Sequence, residues 1–302
     1  MAASDLSNRV SELCLNFYDK LPNSKKLHKD TEWTILSAIV MERNGGDLEV
    51  VGMGTGTKCI GANMLSASGN ILNDSHAEVI SRRAFIRFLL FQINLARICS
   101  KESIFRLDED MKHFALVADI KFHMFTSSSP CGDASIFTTS DNLDDDKCEP
   151  EAKRMKILPD GFTGAKLMFD EDVEDPMDQI EGKIRTKPGK GDRTMSLSCS
   201  DKMARWNMVG IQGAMLSTLI DPIYLSSVIF ADGTPFNRIA MERAMWKRFK
   251  LAEKFIEAPF CLHQPLILIA TNKMKFPFAR NDTRVNPSSN SIIYTKLPET
   301  MR

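Results

Sequence analysis

Apolar residues recur along this chain at two periods, and the alternation between them sets the expected fold. Between residues 4 and 19, Leu6, Val10, Leu13 and Phe17 fall three or four apart behind Ser4, the spacing of one face of a capped α-helix. The stretch from Trp33 to Gly61 gives β-rich runs interrupted by Gly45-Gly46, which predicts an antiparallel hairpin. From Val79 the helical period returns through Ile80, Ala84, Phe85, Phe88 and Leu89. Asp74 or Ser75 is the expected N-cap there, which puts His76 and Glu78 in the first turn. The run HFALVADIKFHMFTSSSPCG predicts a strand giving way to a turn or helix start at Pro130-Cys131. RTMSLSCSDKMARWNMVGIQGAMLSTL predicts a strand, a helix capped near Ser200 or Asp201, a break from Gly210 to Gly213 and a second helix. A strand in IYLSSVIFA, a helix over 238–255 and a strand in PLILIA complete the pattern.

Strands alternating with helices predict an α/β fold of three layers, and the early hairpin makes its sheet mixed. Residues 141–192 depart from this pattern: DNLDDDKCEPEAKR and DEDVEDPMDQIEGK are acidic and lack a period. They read as a charged, partly disordered insertion within a single domain spanning 1–302.

Composition narrows the function classes. With 39 basic and 39 acidic residues the formal net charge is zero, so nucleic-acid binding must come from a local patch. Seven cysteines without a secretory signal point to a reducing, intracellular setting in nucleus or cytoplasm, where thiols stay free or bind metal. No apolar run approaches the roughly 20 residues of a membrane span, so no membrane partner is expected.

Three residues at predicted element junctions carry the chemistry. A catalytic zinc takes three protein ligands and leaves a fourth position for water. His76, Cys131 and Cys199 meet that count, and the positive end of a helix favours thiolate over thiol. Glu78, two residues after His76, is placed to carry a proton rather than to ligate. Zinc deaminases are marked by H-x-E followed by P-C-x-x-C. His76-Ala77-Glu78 and Pro130-Cys131 match, but Ala134 stands where the last cysteine belongs. Either the site is broken or its third thiolate comes from elsewhere, with Cys199 the best placed.

Blander readings exist for each residue: His76 as a capping or core histidine, Glu78 as a partner for the helix dipole, and Arg82 and Arg83 as a solvated face. GMGTGTK fits neither nucleotide-loop fingerprint. Met241, Met245 and Phe249 read as helix packing, and Cys14, Cys59, Cys99, Cys148 and Cys261 as core or surface thiols.

GTGTKCIG, NDSHAEVISRRAF, SPCGDASIF and SCSDKMARWNMVGIQGAMLS together resemble the RNA-editing adenosine deaminase family, and its tRNA-specific branch most, from about residue 30 to about 295. That family shares the displaced third cysteine. The resemblance implies a cytidine-deaminase-like core with zinc on His76, Cys131 and Cys199, where Glu78 moves protons as adenosine in a single-stranded tRNA loop, not DNA, is hydrolysed to inosine. It further implies a buried inositol hexakisphosphate held by Asn73, Arg82, Arg83, Ser196, Lys202, Arg205 and Trp206, and substrate contacts from Thr57 and Lys58. Two positions depart mildly from the family: Ala214 replaces a serine and Ser196 a threonine. The chain also stops at Arg302, short of a lysine- and tyrosine-bearing segment that completes the family's polyphosphate cavity. A competing class is therefore an RNA-binding or interaction protein that keeps the fold without turnover. A cytidine or free-nucleoside deaminase is a third, disfavoured by the missing contiguous cysteine pair.

Overall fold

The computed structural model describes residues 3–22, 31–98, 100–108, 113–137, 161, 163–168, 179–187, 193–272 and 286–298. Most of the segment read as an insertion lies outside them. In chain order the elements are α1 (Ala3–Asp19), β1 (Glu32–Trp33), β2 (Leu36–Arg43), β3 (Asp47–Thr55), α2 (Ala77–Arg97), β4 (Phe105–Leu107), β5 (Phe114–Leu116) and β6 (Lys121–Thr126). There follow β7 (Lys166–Leu167), β8 (Arg185–Thr186), α3 (Cys199–Val209), β9 (Ser227–Phe230), α4 (Arg238–Met245), β10 (Leu266–Ile269), β11 (Asn286–Pro287) and β12 (Ile293–Thr295).

The main sheet has the order β10-β9-β6-β2-β3-β12. Strands β6, β9 and β10 run parallel to one another, while the β6–β2, β2–β3 and β3–β12 pairs are antiparallel. The expected mixed sheet is present, and helices cover both its faces. On one face α1 buries Val10, Cys14, Leu15 and Tyr18 against Leu36, Ala38, Val40, Phe125 and Ile229. On the other, Phe85 and Phe88 of α2, Met203 and Trp206 of α3, and Met241 and Met245 of α4 pack with Ile39, Met41 and Val51. Strand β2 is central and covered on both sides, which explains why its sequence is nearly continuously apolar rather than alternating. No helix among the described residues is long and apolar enough to cross a membrane.

Helix α2 lies unusually close to β3 because β3 has glycines on that face. A Cβ at Gly54 would stand 2.6 Å from Ile80 Cβ and from the Ser81 amide, and one at Gly52 would meet the Phe85 amide at 2.9 Å. Gly52 and Gly54 of GMGTGTK therefore serve helix-on-sheet contact, and His76 and Glu78 stand at the start of α2.

Several boundaries differ from the sequence expectation. Helix α1 already includes Ser4, and its buried stripe runs through Ser7, Val10, Ser11, Cys14 and Tyr18, leaving Leu6, Leu13 and Phe17 half-buried at the margin. The N-cap of α2 is His76, because the Asp74 carboxylate accepts from the His76 amide and is held by two lysines. Ser198 caps α3, its Oγ accepting from the Asp201 amide at 3.2 Å. The second helix after Gly213 is only a 3-10 turn over Leu216–Thr218. The helix expected over 238–255 ends at Met245 and continues as a 3-10 segment, Lys247–Phe255.

Candidate metal centre and anion cavity

His76 precedes α2, Cys131 lies in the loop after β6, and Cys199 opens α3. Their ligand atoms all lie within 4.8 Å of one another. His76 Nδ1 is 3.6 Å from Cys199 Sγ and 3.9 Å from Cys131 Sγ. Tetrahedral zinc with Zn–S of about 2.3 Å and Zn–N of about 2.0–2.1 Å separates N from S by about 3.6 Å. The spacing thus suits one ion. Glu78 is buried, and its Oε2 has no hydrogen-bond partner in the described structure. A buried carboxylate oxygen left unsatisfied is costly. A metal-centre water beside the three ligands would supply the missing donor, so the residues fit a zinc site.

The two thiols differ electrostatically. Hydrogen bonding from Cys199 holds the Cys131 thiol below its ordinary value; burial opposes this, and the charge of Lys187 assists. Burial pushes the Cys199 thiol well up. Lys187 is fully buried, with Nζ 3.0 Å from Cys199 Sγ and 3.0 Å from Asp74 Oδ1. Burial alone would lower its pKa, but the charges of Cys199, Cys131, Asp74 and Glu78 outweigh that and raise it. Asp74 also accepts from Lys202 Nζ and, at 2.7 Å, from Ser196 Oγ. Burial works to raise the Asp74 carboxyl, yet the two lysines hold it well below the usual carboxylate range.

Behind this cluster lies a cavity of about 590 Å³. Asn73, Arg82, Arg83, Ser196, Lys202, Arg205 and Trp206 all line it, and so does Ala214. The Arg82 guanidinium lies over the Trp206 ring at 5.4 Å, and its Nε donates to the Ile211 carbonyl at 2.9 Å. Burial, then Arg205 and Arg83, bring the Arg82 pKa down to about 10. Mutually repelling cations on one wall are what a polyanion would relieve.

Thr57 is half-buried with Oγ1 unpartnered, and Lys58 is exposed. Their loop is stitched to the start of α2, since Gly56 O accepts from the Ala77 amide and Lys58 O from the Ser75 amide.

Sequence reasoning missed Lys187, Asp74 as an ion-pair hub, and the bracing supplied by the segment read as an insertion. Thr163 Oγ1 accepts from the Gly132 amide at 2.9 Å and the Gly182 amide donates to Asp133 at 2.6 Å, so described residues of that segment brace the Cys131 loop. Lys187, in RTKPGK, carries no local pattern; only the three-dimensional convergence reveals it.

Comparison with known proteins agrees with this geometry. Residues 52–302 match the model of the adenosine-deaminase (editase) domain. The chain is similar to tRNA-specific adenosine deaminase 1 of Drosophila melanogaster, 40% identical over 97% of this chain and 71% of that protein. It is also similar to tRNA-specific adenosine deaminase 1 of Homo sapiens, 32% identical over 97% of this chain and 80% of the relative. The double-stranded RNA-specific editase Adar of Drosophila melanogaster is 32% identical over 79% of this chain and 35% of its own length. The chain belongs to the adenosine-deaminase (editase) domain family.

Proposed function

We propose that this protein hydrolyses adenosine to inosine in a tRNA, with zinc on His76, Cys131 and Cys199 and with Glu78 as the proton carrier. The carrying observation is the convergence of those ligands beside a buried glutamate oxygen that has no partner. The tRNA assignment rests on the relatives named for that substrate. When bound, the ion would supply Lewis-acid activation of water.

The chain's own residues do the rest. Glu78 takes the proton from the attacking water and delivers protons to the purine ring nitrogen and the departing amino group, so that adenosine and water become inosine and ammonia. Lys187 keeps a positive charge against the Cys199 sulfur and compensates its thiolate form. Thr57 and Lys58, on the loop clamped to the start of α2, contact the substrate nucleotide. The target base must be unstacked to reach a site this enclosed, which a single-stranded tRNA loop provides.

Inositol hexakisphosphate in the cavity is the second part of the proposal. Arg82, Arg83 and Arg205 would grip phosphates in bidentate fashion, Lys202, Asn73 and Ser196 would add single contacts, and Trp206 would floor the site. Its contribution is structural: a buried polyanion neutralises cations that otherwise repel. The test is metal and phosphate analysis of the purified protein alongside inosine formation on a tRNA transcript. Stoichiometric zinc, bound phosphate and turnover are expected; zinc without turnover, even with added inositol hexakisphosphate, refutes the enzymatic reading.

A further inference from the structure

Each cysteine ligand is followed two positions later by an aspartate: Asp133 after Cys131 and Asp201 after Cys199. Both carboxylates are buried, and two arginines reach them, Arg243 of α4 and Arg248 of the 3-10 segment that follows it. Arg248 Nη2 lies 2.5 Å from Asp201 Oδ1, and its Nε is 4.0 Å from Asp133 Oδ2. Arg243 Nε is 3.2 Å from Asp133 Oδ2, and its Nη2 donates to the Asp133 carbonyl at 3.0 Å. We propose that Arg248 and Arg243 are positioning residues that set the spacing of the two thiolate ligands, Arg248 by holding the carboxylate behind Cys199 and Arg243 by holding the one behind Cys131. The assignment rests on the metal-centre reading above.

The geometry leaves the clamp little freedom. Arg248 also donates to Ala244 O at 3.1 Å and to Lys183 O at 3.0 Å, which fixes the plane of its guanidinium. The second oxygen of each carboxylate is engaged as well: Asp201 Oδ2 accepts from Ser198 Oγ at 2.5 Å and the Arg185 amide at 2.9 Å, and Asp133 Oδ1 accepts from the Gly182 amide at 2.6 Å. The arms themselves touch, through the Ser200 amide on the Cys131 carbonyl at 3.0 Å and the Cys199 amide on Cys131 Sγ at 3.3 Å. The contact is close because Gly132 separates them: its φ is +105°, and a Cβ there would meet Ser198 Oγ at 2.2 Å. Two arms that meet edge to edge can slide, and a guanidinium fork bonded to each carboxylate, Arg248 on Asp201 and Arg243 on Asp133, prevents it. Lysine cannot substitute, because a point charge fixes distance but not angle. Helix α4, which carries Arg243, is anchored in the core through Met241, Ala244 and Met245, and Phe249, next to Arg248, packs against the same core.

The experiment compares Arg248→Lys, Arg243→Lys and Asp201→Asn with the parent and with Arg238→Lys, a control on α4 whose guanidinium bonds the Ile267 carbonyl instead. Zinc affinity is measured by chelator competition, and ligand geometry by the visible spectrum of the Co²⁺-loaded protein. Disturbing partners behind metal ligands typically weakens affinity by about 10–100-fold. That loss is expected for Arg248→Lys, with shifted Co²⁺ bands and a smaller effect for Arg243→Lys, while Arg238→Lys keeps the parental affinity and spectrum. If Arg248→Lys does not fold, Asp201→Asn is read the same way, since its amide oxygen still serves Ser198 and Arg185 while the charge is gone. Variants that are merely less stable, with parental zinc affinity and Co²⁺ spectrum, overturn the clamp. A parent that takes up neither zinc nor Co²⁺ overturns the metal-centre reading along with it.

Discussion

Gly54→Ala tests the chain of argument from a strand glycine to catalysis. The added Cβ would stand 2.6 Å from Ile80 Cβ and the Ser81 amide. Carbon atoms rest at about 3.5–4.0 Å, so α2 must retreat by about 0.9–1.4 Å. Strand β3 cannot give instead, because Gly54 pairs with Ser37 of β2 on one side and Ile293 of β12 on the other. Ile80 lies one turn after His76, and its amide donates to the His76 carbonyl at 3.0 Å, so the displacement passes directly to the proposed ligand and to Glu78. Overpacking of this kind costs about 1–3 kcal/mol. A misplacement near 1 Å can lower turnover by about 10²-fold. The assay is inosine formation on a tRNA transcript well below the unfolding midpoint, read beside the denaturant midpoint, so that lost folding and lost alignment are separated. Parental turnover and parental stability in Gly54→Ala would refute the claim that β3 glycines position the start of α2.

Other outcomes follow from the same geometry. Glu78→Gln is expected to lower turnover by at least about 10²–10⁴-fold while zinc content stays stoichiometric, because the ligands are untouched; loss of metal in that variant contradicts a proton-carrier role. Cys199→Ala should release zinc, and unchanged metal content would place the third ligand elsewhere. His123 is buried between Ser227 Oγ at 2.8 Å and Glu42 Oε2 at 2.9 Å, and burial pushes its pKa below the ordinary value, with Glu42 opposing. The unfolded imidazole takes a proton near pH 6.5 and the folded one only lower, so its contribution to stability is full above about 6.5 and declines as pH falls toward the folded value. Denaturation from pH 8 to 5 should therefore lose less stability in His123→Gln than in the parent, and parallel curves would refute this.

The fold was legible where local pattern and tertiary demand coincide. The break after Arg43 shows this: Asn44 and Gly45 adopt φ of 52° and 69°, which only such residues take readily, so the hairpin could be read from four letters. Caps were read less well, because Asp74, Ser75 and His76 all precede an apolar period and sequence cannot say which carboxylate is already spoken for by distant lysines. The helix expected over 238–255 is longer than the one observed for a related reason: an apolar period persists through Phe249, yet the Trp246 backbone breaks the run at φ −151°.

At the site, the residues that local motifs mark were visible, and those that hold the motifs in place were not. His76 and Glu78 stand in a recognisable pair, and Pro130-Cys131 has half of another. Lys187 sits in a charged stretch that reads as solvated, because a lysine bound for the interior has the same letter as one bound for water. Its burial is tolerable only because Asp74 and the Cys199 sulfur each lie 3.0 Å away, and Asp74 arrives from a remote position in the chain. One signal was present and unread. The spacing Cys-x-Asp occurs at both thiolates, and a carboxylate buried two positions from each ligand requires a cation to neutralise it. The basic residues that meet this demand are Arg243 on α4 and Arg248 on the 3-10 segment that follows it.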